Sequence, residues 1–289
     1  MRGSAGEGAR YAILAYAAWG LFPLYWKLLH GVPALTVLLH RIFWCILFYT
    51  GLRYYRSGKG ALRFDLSMKE WLGVFAAALF IGTNWLLYIW AVNAGHIVET
   101  SLGYFINPLI NILLGIFFFK EKLLRYQKVA VFLALIGVSI LTWEAGRIPW
   151  IAFSLAVTFS LYGFLRKRIN VGSVEGGQLE SLLIFLPVLA SVLFLGKPLT
   201  PEKNLDWTFL IASGVVTGLP LIWFVEAAKR LPYYLLGFFQ YLAPTLQFLT
   251  GVVIFHEPLS DLKFVGFAFI WTGIAWLLWK TLRRARQVQ

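Results

Sequence analysis

One long apolar segment of this chain occurs twice, and the two copies differ mainly in charge. LGYFINPLINILLGIFFFKEKL (residues 102–123) returns as FFQYLAPTLQFLTGVVIFHEPL (residues 238–259), at the gapless shift that places Pro108 on Pro244. The same shift matches Gly82 with Gly218, Ala91 with Ala227, Gly115 with Gly251, Glu121 with Glu257, Gly137 with Gly273 and Trp143 with Trp279. A repeat of this length is far longer than a solenoid unit. The sequence therefore predicts two related halves.

The composition places both halves in a membrane. Apolar residues make up 60% of the chain, charged residues only 13%, and the mean hydropathy is +0.73. A soluble globule could not cover its surface with so few charges. Runs of about 20 apolar residues cross about 30 Å of hydrocarbon as helices, whereas the strands of a membrane barrel are about ten residues long and alternate. The predicted spans are 11–29, 34–55, 70–93, 97–119, 125–143, 149–166, 176–196, 206–228, 233–255 and 262–280.

We therefore predict an all-α polytopic membrane protein with ten transmembrane helices in two five-helix repeats. The predicted divisions are a tail at 1–10, a first repeat at 11–145, a second repeat at 146–281 and a tail at 282–289. The first span is expected to be a retained helix and not a signal peptide. Because five is an odd number, the second repeat must run through the membrane in the opposite direction, as in many secondary transporters.

The charges predict the orientation. Most of the 26 Lys and Arg residues fall in links that face one side of the membrane, which the positive-inside rule makes the cytoplasm. KEKLLR (residues 120–125) is basic and predicted inside, whereas its counterpart HEPLSD (residues 256–261) lacks Lys and Arg and is predicted outside. Both termini are then cytoplasmic. The net charge of +13 serves topology, and no basic stripe indicates nucleic-acid binding.

Several polar and aromatic side chains lie at membrane depth, where polar groups are costly and usually face the bundle interior. Arg41 is the most unusual of them, and a buried ion pair is its structural alternative. For the amides the alternative is an interhelical hydrogen bond without a role in binding, and Glu99 and Glu226 could reach the interface from the ends of their spans. The candidate cavity residues are Trp19, Arg41, Asn84, Trp85, Tyr88, Glu99, Tyr104, Asn107, Glu226, Gln240, Tyr241 and Gln247.

Two matched prolines interrupt the fourth and ninth predicted spans. Pro108 and Pro244 each remove a backbone N–H and crowd the preceding turn, which bends a helix. Carbonyls freed by such a bend need partners in protein or in a watery cavity. Paired breaks at equivalent positions mark the binding site of many transporters, so both prolines are predicted hinge positions. The alternative is a static kink.

Motifs for chemistry are missing from the sequence. The single cysteine, Cys45, and four histidines show no metal-ligand spacing, and there is no phosphate-binding or dinucleotide fingerprint. We expect no catalytic residues, no cofactor, no metal and no enzymatic activity. A channel of the same fold and a non-transporting membrane scaffold remain the alternatives to a transporter.

Three segments resemble a known family: TNWLLYIWAVN (83–93), SLGYFINPLINILLG (101–115) and LGFFQYLAPTLQFL (236–249). They are similar to the RarD branch of the EamA-type transporters, in the drug/metabolite transporter superfamily. The resemblance extends over about 11–280 and implies two inverted repeats, cytoplasmic termini, a bacterial inner membrane, and a cavity lined by the first, third, fourth, sixth, eighth and ninth spans.

The resemblance also implies a function. The family is associated with export of metabolites, amino acids or drugs, and the RarD name is linked to chloramphenicol sensitivity. We expect a secondary transporter that exports a small amphipathic solute (an amino acid, metabolite or amphenicol-like compound) by alternating access. The expected partners are that solute and the lipid bilayer, with a coupling proton or ion left open, and the expected state is a monomer or weak homodimer.

Overall fold

The computed structural model describes the backbone of residues 2–58, 62–94, 96–144, 146, 149–256 and 260–287, and no strand forms within these ranges. The first half forms α1 (Arg2–Lys27), α2 (Ala34–Ser57), α3 (Met68–Asn93), α4 (Ile97–Phe118) and α5 (Arg125–Glu144). The second half forms α6 (Trp150–Arg168), α7 (Ser173–Phe194), α8 (Asn204–Arg230), α9 (Tyr233–Gln240), α10 (Leu242–Leu249), a π-helix (Thr250–Ile254) and α11 (Asp261–Gln287).

Helices lie at all ten predicted positions, because α9, α10 and the π-helix together occupy the ninth. Within the described part of the chain, eight helical segments are long and apolar enough to cross a membrane. The helices α1 and α6 lie outside that set, and α6 ends in three consecutive basic residues. The prediction of an all-α, multi-pass membrane protein is confirmed.

Both ends of the chain are more helical than predicted. The first helix begins at Arg2, so residue 11 marks only the start of its apolar part, and α11 continues to Gln287. The N-terminal extension packs on the end of α8: a Cβ added at Gly8 would lie 2.9 Å from Arg230 Cβ. The Glu7 carboxylate lies 3.6 Å from the Arg230 guanidinium. These contacts explain why polar residues continue a helix there.

The two halves share an unusual backbone turn. Lys120 and His256 are the non-glycine residues with positive φ among those described, at 53° and 54°. They occupy equivalent positions in the repeated segment, one residue after Phe119 and Phe255. Left-handed backbone is uncommon for residues with a Cβ, and here it occurs at two positions that the sequence repeat matches.

Helix packing follows the same relationship. The pairs α2 with α7, α4 with α9, and α5 with α11 each join a helix to its counterpart in the other half. Other large contacts come in exchanged pairs: α1 packs on α8 while α6 packs on α3, α2 packs on α8 while α7 packs on α3, and α4 packs on α6 while α10 packs on α1. Exchanging the halves therefore maps most of the large helix contacts onto one another.

Matched glycines let α5 and α11 approach closely. A Cβ added at Gly137 would lie 2.7 Å from Ile270 on α11, and one at Gly273 would lie 2.9 Å from the Ala130 carbonyl on α5. Small residues at helix interfaces are the usual means of close packing in membranes, where burial of apolar surface does not favour association. This pair forms one side of the bundle.

The bundle has two distinct ends, which contacts between helix termini define. At one end, the Thr36 hydroxyl donates to the Pro198 carbonyl at 2.6 Å. At the other, Arg53 Nη1 donates to Gln178 Oε1 at 2.7 Å. We call the end with Thr36 the cavity end, because the cavity described below lies nearer to it, and the end with Arg53 the closed end.

Candidate functional site

A cavity of about 360 Å³ lies between the helices, within the half of the bundle nearer the cavity end. It receives side chains from the later part of α1, the early part of α2, α3, α4, α6, α8 and the broken ninth helix. A volume of this size lies in the range of small-molecule sites.

Aromatic rings form much of the wall. Trp19 on α1 packs edge-on against Tyr16 and Phe159, with centroid distances of 5.6 and 5.5 Å. The guanidinium of Arg41 lies over the rings of Trp26 and Trp85, with Cζ 4.6 and 5.2 Å from their centroids. The Tyr88 and Tyr104 side chains, 36% and 37% exposed, also line the cavity.

Arg41 lies in the early part of α2 and has one protein hydrogen bond among the described residues. Its Nε–H donates to the Thr217 hydroxyl on α8 at 3.1 Å. This contact joins α2 to α8 and, together with the two indole rings, fixes the plane of the guanidinium.

Three buried amides connect α4 to α9 beneath the cavity. Asn111 Nδ2 donates to Gln240 Oε1, and Gln240 Nε2 donates to Asn107 Oδ1. Asn107 Nδ2 in turn donates to the Ala156 carbonyl on α6 at 2.8 Å. These amides hold helices together, and Asn107 and Gln240 also line the cavity.

Two further amides on the cavity wall are anchored to neighbouring helices. Asn84 Nδ2 donates to the Leu155 carbonyl and the Thr158 hydroxyl on α6, at 2.8 and 2.9 Å. Gln247 Nε2 donates to the Trp19 carbonyl at 3.1 Å. Both NH₂ groups are therefore engaged with the protein.

The ninth helix is interrupted beside the cavity. Pro244 has no N–H to donate to the Gln240 carbonyl one turn earlier, and α9 ends at Gln240 while α10 begins at Leu242. In contrast, α4 continues through Pro108. The paired interruption predicted at Pro108 and Pro244 is thus seen as a break only in the second half, and the hinge role of either proline stays a prediction.

The closed end is tied by polar contacts. The Glu121 carboxylate accepts from the backbone N–H groups of Tyr233 and Tyr234 at the start of α9, at 2.7 and 2.8 Å. Lys167 Nζ donates to the Ala228 carbonyl at 2.6 Å, which joins α6 to α8. Lys229 Nζ donates to the Val171 carbonyl. Between these ties and the cavity, the interior is filled by apolar and aromatic residues such as Tyr162, Phe224, Val225 and Leu236.

The structure brings most of the candidate residues to one place. The cavity is lined by Trp19, Arg41, Asn84, Trp85, Tyr88, Tyr104, Asn107, Gln240, Gln247 and Pro244. Sequence reasoning did not single out Trp26, Thr217, Phe159, Leu221 or Phe255, which also line it. A buried arginine requires hydrogen-bonding or aromatic partners, and this requirement was the feature of the sequence that could have predicted Thr217 and Trp26.

Other candidates lie elsewhere. Glu226 pairs with Arg230, one turn further along α8, near the closed end. Tyr241 is buried in an apolar cluster with Phe105 and Phe267, on the side of the helix away from the cavity. Consecutive helical residues point about 100° apart, so Gln240 and Tyr241 face different surroundings. The backbone of Glu99 belongs to α4, but its side chain lies outside the described part of the chain.

Within the described residues, no group of three or more His, Cys, Asp or Glu side chains could hold a metal ion. The site offers instead a cation, amides, hydroxyls and aromatic faces. Such groups bind and orient a solute, and their arrangement here does not resemble a nucleophile with its base.

Comparison with known proteins gives three findings. Residues 7–143 match the EamA-like transporter family. The chain is 45% identical to the uncharacterized transporter YojE of Bacillus subtilis over 93% of this chain and 92% of that protein, and 43% identical to protein RarD of Salmonella typhimurium over 93% of each. A crystal structure that is 20% identical superposes on 98% of this chain and 99% of its own with a TM-score of 0.76, which shows a shared fold.

Proposed function

This chain belongs to the EamA-like transporter family, in its RarD branch, and from that premise we propose that it exports a small amphipathic solute across the bacterial inner membrane by alternating access. The observation that carries the proposal is the cavity of about 360 Å³ in the membrane-spanning bundle, walled by aromatic rings and a few polar groups. That combination suits a solute with an apolar flank and one or two polar groups, such as an amino acid, a metabolite or an amphenicol-like compound.

Alternating access is supported by the packing of the two halves. Most of the large helix contacts map onto each other when the halves are exchanged, yet the cavity lies toward one end. In an inverted-repeat carrier, the opposite state arises when each half adopts the arrangement of the other. The break at Tyr241, with a continuous α4 opposite it, is such a difference between the halves.

The distribution of charge supports one orientation of the bundle. Lys and Arg cluster in the links at the closed end, so the closed end is cytoplasmic, both termini are cytoplasmic, and the cavity faces the outside. The helices then form two inverted repeats, 11–145 and 146–281. This is an outward-facing arrangement.

Counterflow in proteoliposomes tests the proposal. Protein is reconstituted with unlabelled L-phenylalanine or chloramphenicol inside, and entry of the same labelled compound is followed against protein-free liposomes. A carrier gives saturable uptake with a transient overshoot. The overshoot arises because unlabelled substrate inside occupies the binding site on its return and competes with the exit of labelled compound. A flux that rises linearly with concentration without overshoot would instead support the channel of the same fold. Labelled efflux from cells with and without the protein then tests the direction.

A further inference from the structure

The cavity contains an arginine whose terminal N–H groups have no hydrogen-bond acceptor among the described residues. Arg41 is seven residues into α2, about 10 Å along the helix from its start. A charge at such depth is costly unless it is paired or hydrated. Its described contacts are the Thr217 hydroxyl, which accepts from Nε, and the faces of Trp26 and Trp85. All three partners are neutral.

Most N–H groups of the Arg41 guanidinium have no described hydrogen-bond partner. A guanidinium carries five N–H groups in a planar fork, and Nε–H is engaged by Thr217. Among the described residues, no acceptor forms a hydrogen bond with Nη1 or Nη2. Arg41 is also the charged member of the described cavity lining. The terminal edge of the fork is therefore presented to the cavity.

Arg166, the fully buried arginine on α6, has a carboxylate as a partner. Arg166 lies 3.2 Å from the Glu180 carboxylate and donates through Nη2 to the Gly172 carbonyl at 3.0 Å. That guanidinium is fully enclosed and has a carboxylate beside it. A structural arginine in this fold thus comes with an anion, and Arg41 has none in the described residues.

We propose that Arg41 binds a carboxylate, or another planar oxyanion, of the transported solute, while the aromatic walls hold the apolar part of that solute. Two parallel N–H groups match the two oxygens of a carboxylate, and such bidentate pairs are the strong, oriented form of this contact. The rings of Trp26 and Trp85 and the Thr217 hydroxyl contact the guanidinium and leave its terminal edge toward the cavity. The substrate class is then a small organic acid or zwitterion with an aromatic or branched apolar flank. The inference rests on the proposed function, since it names the substrate class of the same cavity.

Binding in detergent tests this without any transport step. Purified protein is titrated with matched acid and amide pairs, phenylacetate with phenylacetamide and benzoate with benzamide. The readouts are melting temperature and the fluorescence of the cavity tryptophans. A ligand that prefers the folded state raises the melting temperature. Each acid should bind at least about 10-fold more tightly than its amide, because hydrogen bonds to a charged group are the stronger ones.

Variants of Arg41 test whether this residue causes the preference for acids over amides. Arg41→Gln should remove the preference for acids, and Arg41→Lys, which keeps the charge and loses the fork, should weaken acid binding about 10-fold. Lys69→Gln removes an exposed charge far from the cavity and should leave binding unchanged. Acid and amide binding equally well, no binding by any acid of the panel, or acid binding retained in Arg41→Gln would each overturn the proposal.

The Glu99 side chain lies outside the described residues, and the experiment therefore tests separately whether it is the partner of Arg41. If Arg41→Gln unfolds and the double variant with Glu99→Gln recovers the melting temperature, the two residues form a structural ion pair and the proposal is wrong. If Glu99→Gln alone leaves acid binding intact, Arg41 is the anchor. A protein that binds acids but fails in counterflow would keep the anchor and reject the carrier, so the two failures are distinguishable.

Discussion

The guanidinium of Arg166 on α6 and the carboxylate of Glu180 on α7 form an ion pair inside the bundle, with Nε 3.2 Å from Oε1 and side-chain exposures of 0% and 5%. The Tyr162 hydroxyl donates to the other carboxylate oxygen at 3.1 Å. Arg166 belongs to the basic stretch that ends α6. It is nevertheless buried, because α7 follows within a few residues and packs against its guanidinium at Gly176.

Removing one partner of this pair should destabilise the protein strongly. Glu180→Gln leaves the Arg166 charge buried without compensation, and such changes cost about 3–5 kcal/mol. Unfolding in detergent, followed by tryptophan fluorescence, measures the loss. The matched control is Glu175→Gln, whose side chain is 28% exposed and pairs with Arg53. The control should lose less than about 1 kcal/mol, and equal losses for the two variants would contradict the prediction.

The contact between Glu121 and the start of α9 should stabilise the closed end. Glu121→Gln removes a negative charge that faces two N–H groups at a helix N-terminus, a position where an anion contributes about 1–2 kcal/mol in partly buried geometry. The closed end should therefore open more often. The measurement is labelling of Ala228→Cys, in a Cys45→Ala background, by an impermeant maleimide from the cytoplasmic side.

Glu144→Gln is the control for this experiment, because Glu144 accepts from the Ser260 hydroxyl at the cavity end. It should leave labelling at Ala228→Cys unchanged. Faster labelling with both variants would show general loosening, and no change with Glu121→Gln would show that its contact does not limit opening.

Pro244 should matter more than Pro108 for movement. Pro244→Ala restores an N–H that can donate to the Gln240 carbonyl and so favours one continuous ninth helix. We expect normal expression, an unchanged or higher melting temperature, and slower counterflow. Pro108→Ala, within a helix that is already continuous, should slow exchange less. Equal exchange rates for wild type and Pro244→Ala would leave the break as a static kink.

Asn107 should contribute to stability as well as to the cavity wall. Asn107→Ala leaves the Gln240 amide and the Asn111 amide short of a partner, and an unsatisfied buried polar group costs about 1–3 kcal/mol. The second change, Gln240→Leu, should then cost less in the Asn107→Ala background than in the wild type, as a double-mutant cycle of unfolding free energies would measure. Additive losses would show that the two side chains do not interact.

Topology can be tested at exposed sites. Single cysteines at Gly31 and Asp261 should react with an impermeant maleimide added to intact cells, and cysteines at Ser57 and Arg125 should react only after permeabilisation. Ser57 is preferable to Gly58, whose φ of 54° disfavours a side chain. Labelling of Asp261→Cys only after permeabilisation would remove the inverted-repeat orientation.

The helices were predictable because each span is a long apolar run, and the break beside Tyr241 follows from the missing N–H of Pro244. The extension of α1 to Arg2 was not predictable, since polar residues such as Glu7 become helical only through contacts with α8. The contents of the cavity were predictable for Arg41 and the amides, which are costly in lipid.

Side-chain direction was harder to predict. Spans that are apolar on all sides give little signal for which face turns inward. Tyr241 was therefore expected beside Gln240 in the cavity and is instead buried in the apolar cluster with Phe105 and Phe267. The direction of the Thr217 side chain was equally hard to predict, because a threonine hydroxyl in an apolar helix can donate to a carbonyl of its own helix. Its role as a partner of Arg41 follows only from the need of that arginine for an acceptor.

The filled closed end also determines where the membrane potential falls. A hydrated cavity conducts ions far better than a packed core. In the proposed orientation, with the cavity end outside, most of the voltage drop lies across the layer that contains Phe224 and Tyr162. An anion held at Arg41 is then electrically close to the outside. Moving one negative charge outward across that layer releases about 2.3 kcal/mol for every 100 mV, interior negative. For an acidic solute, the resting voltage of a bacterium would itself drive export.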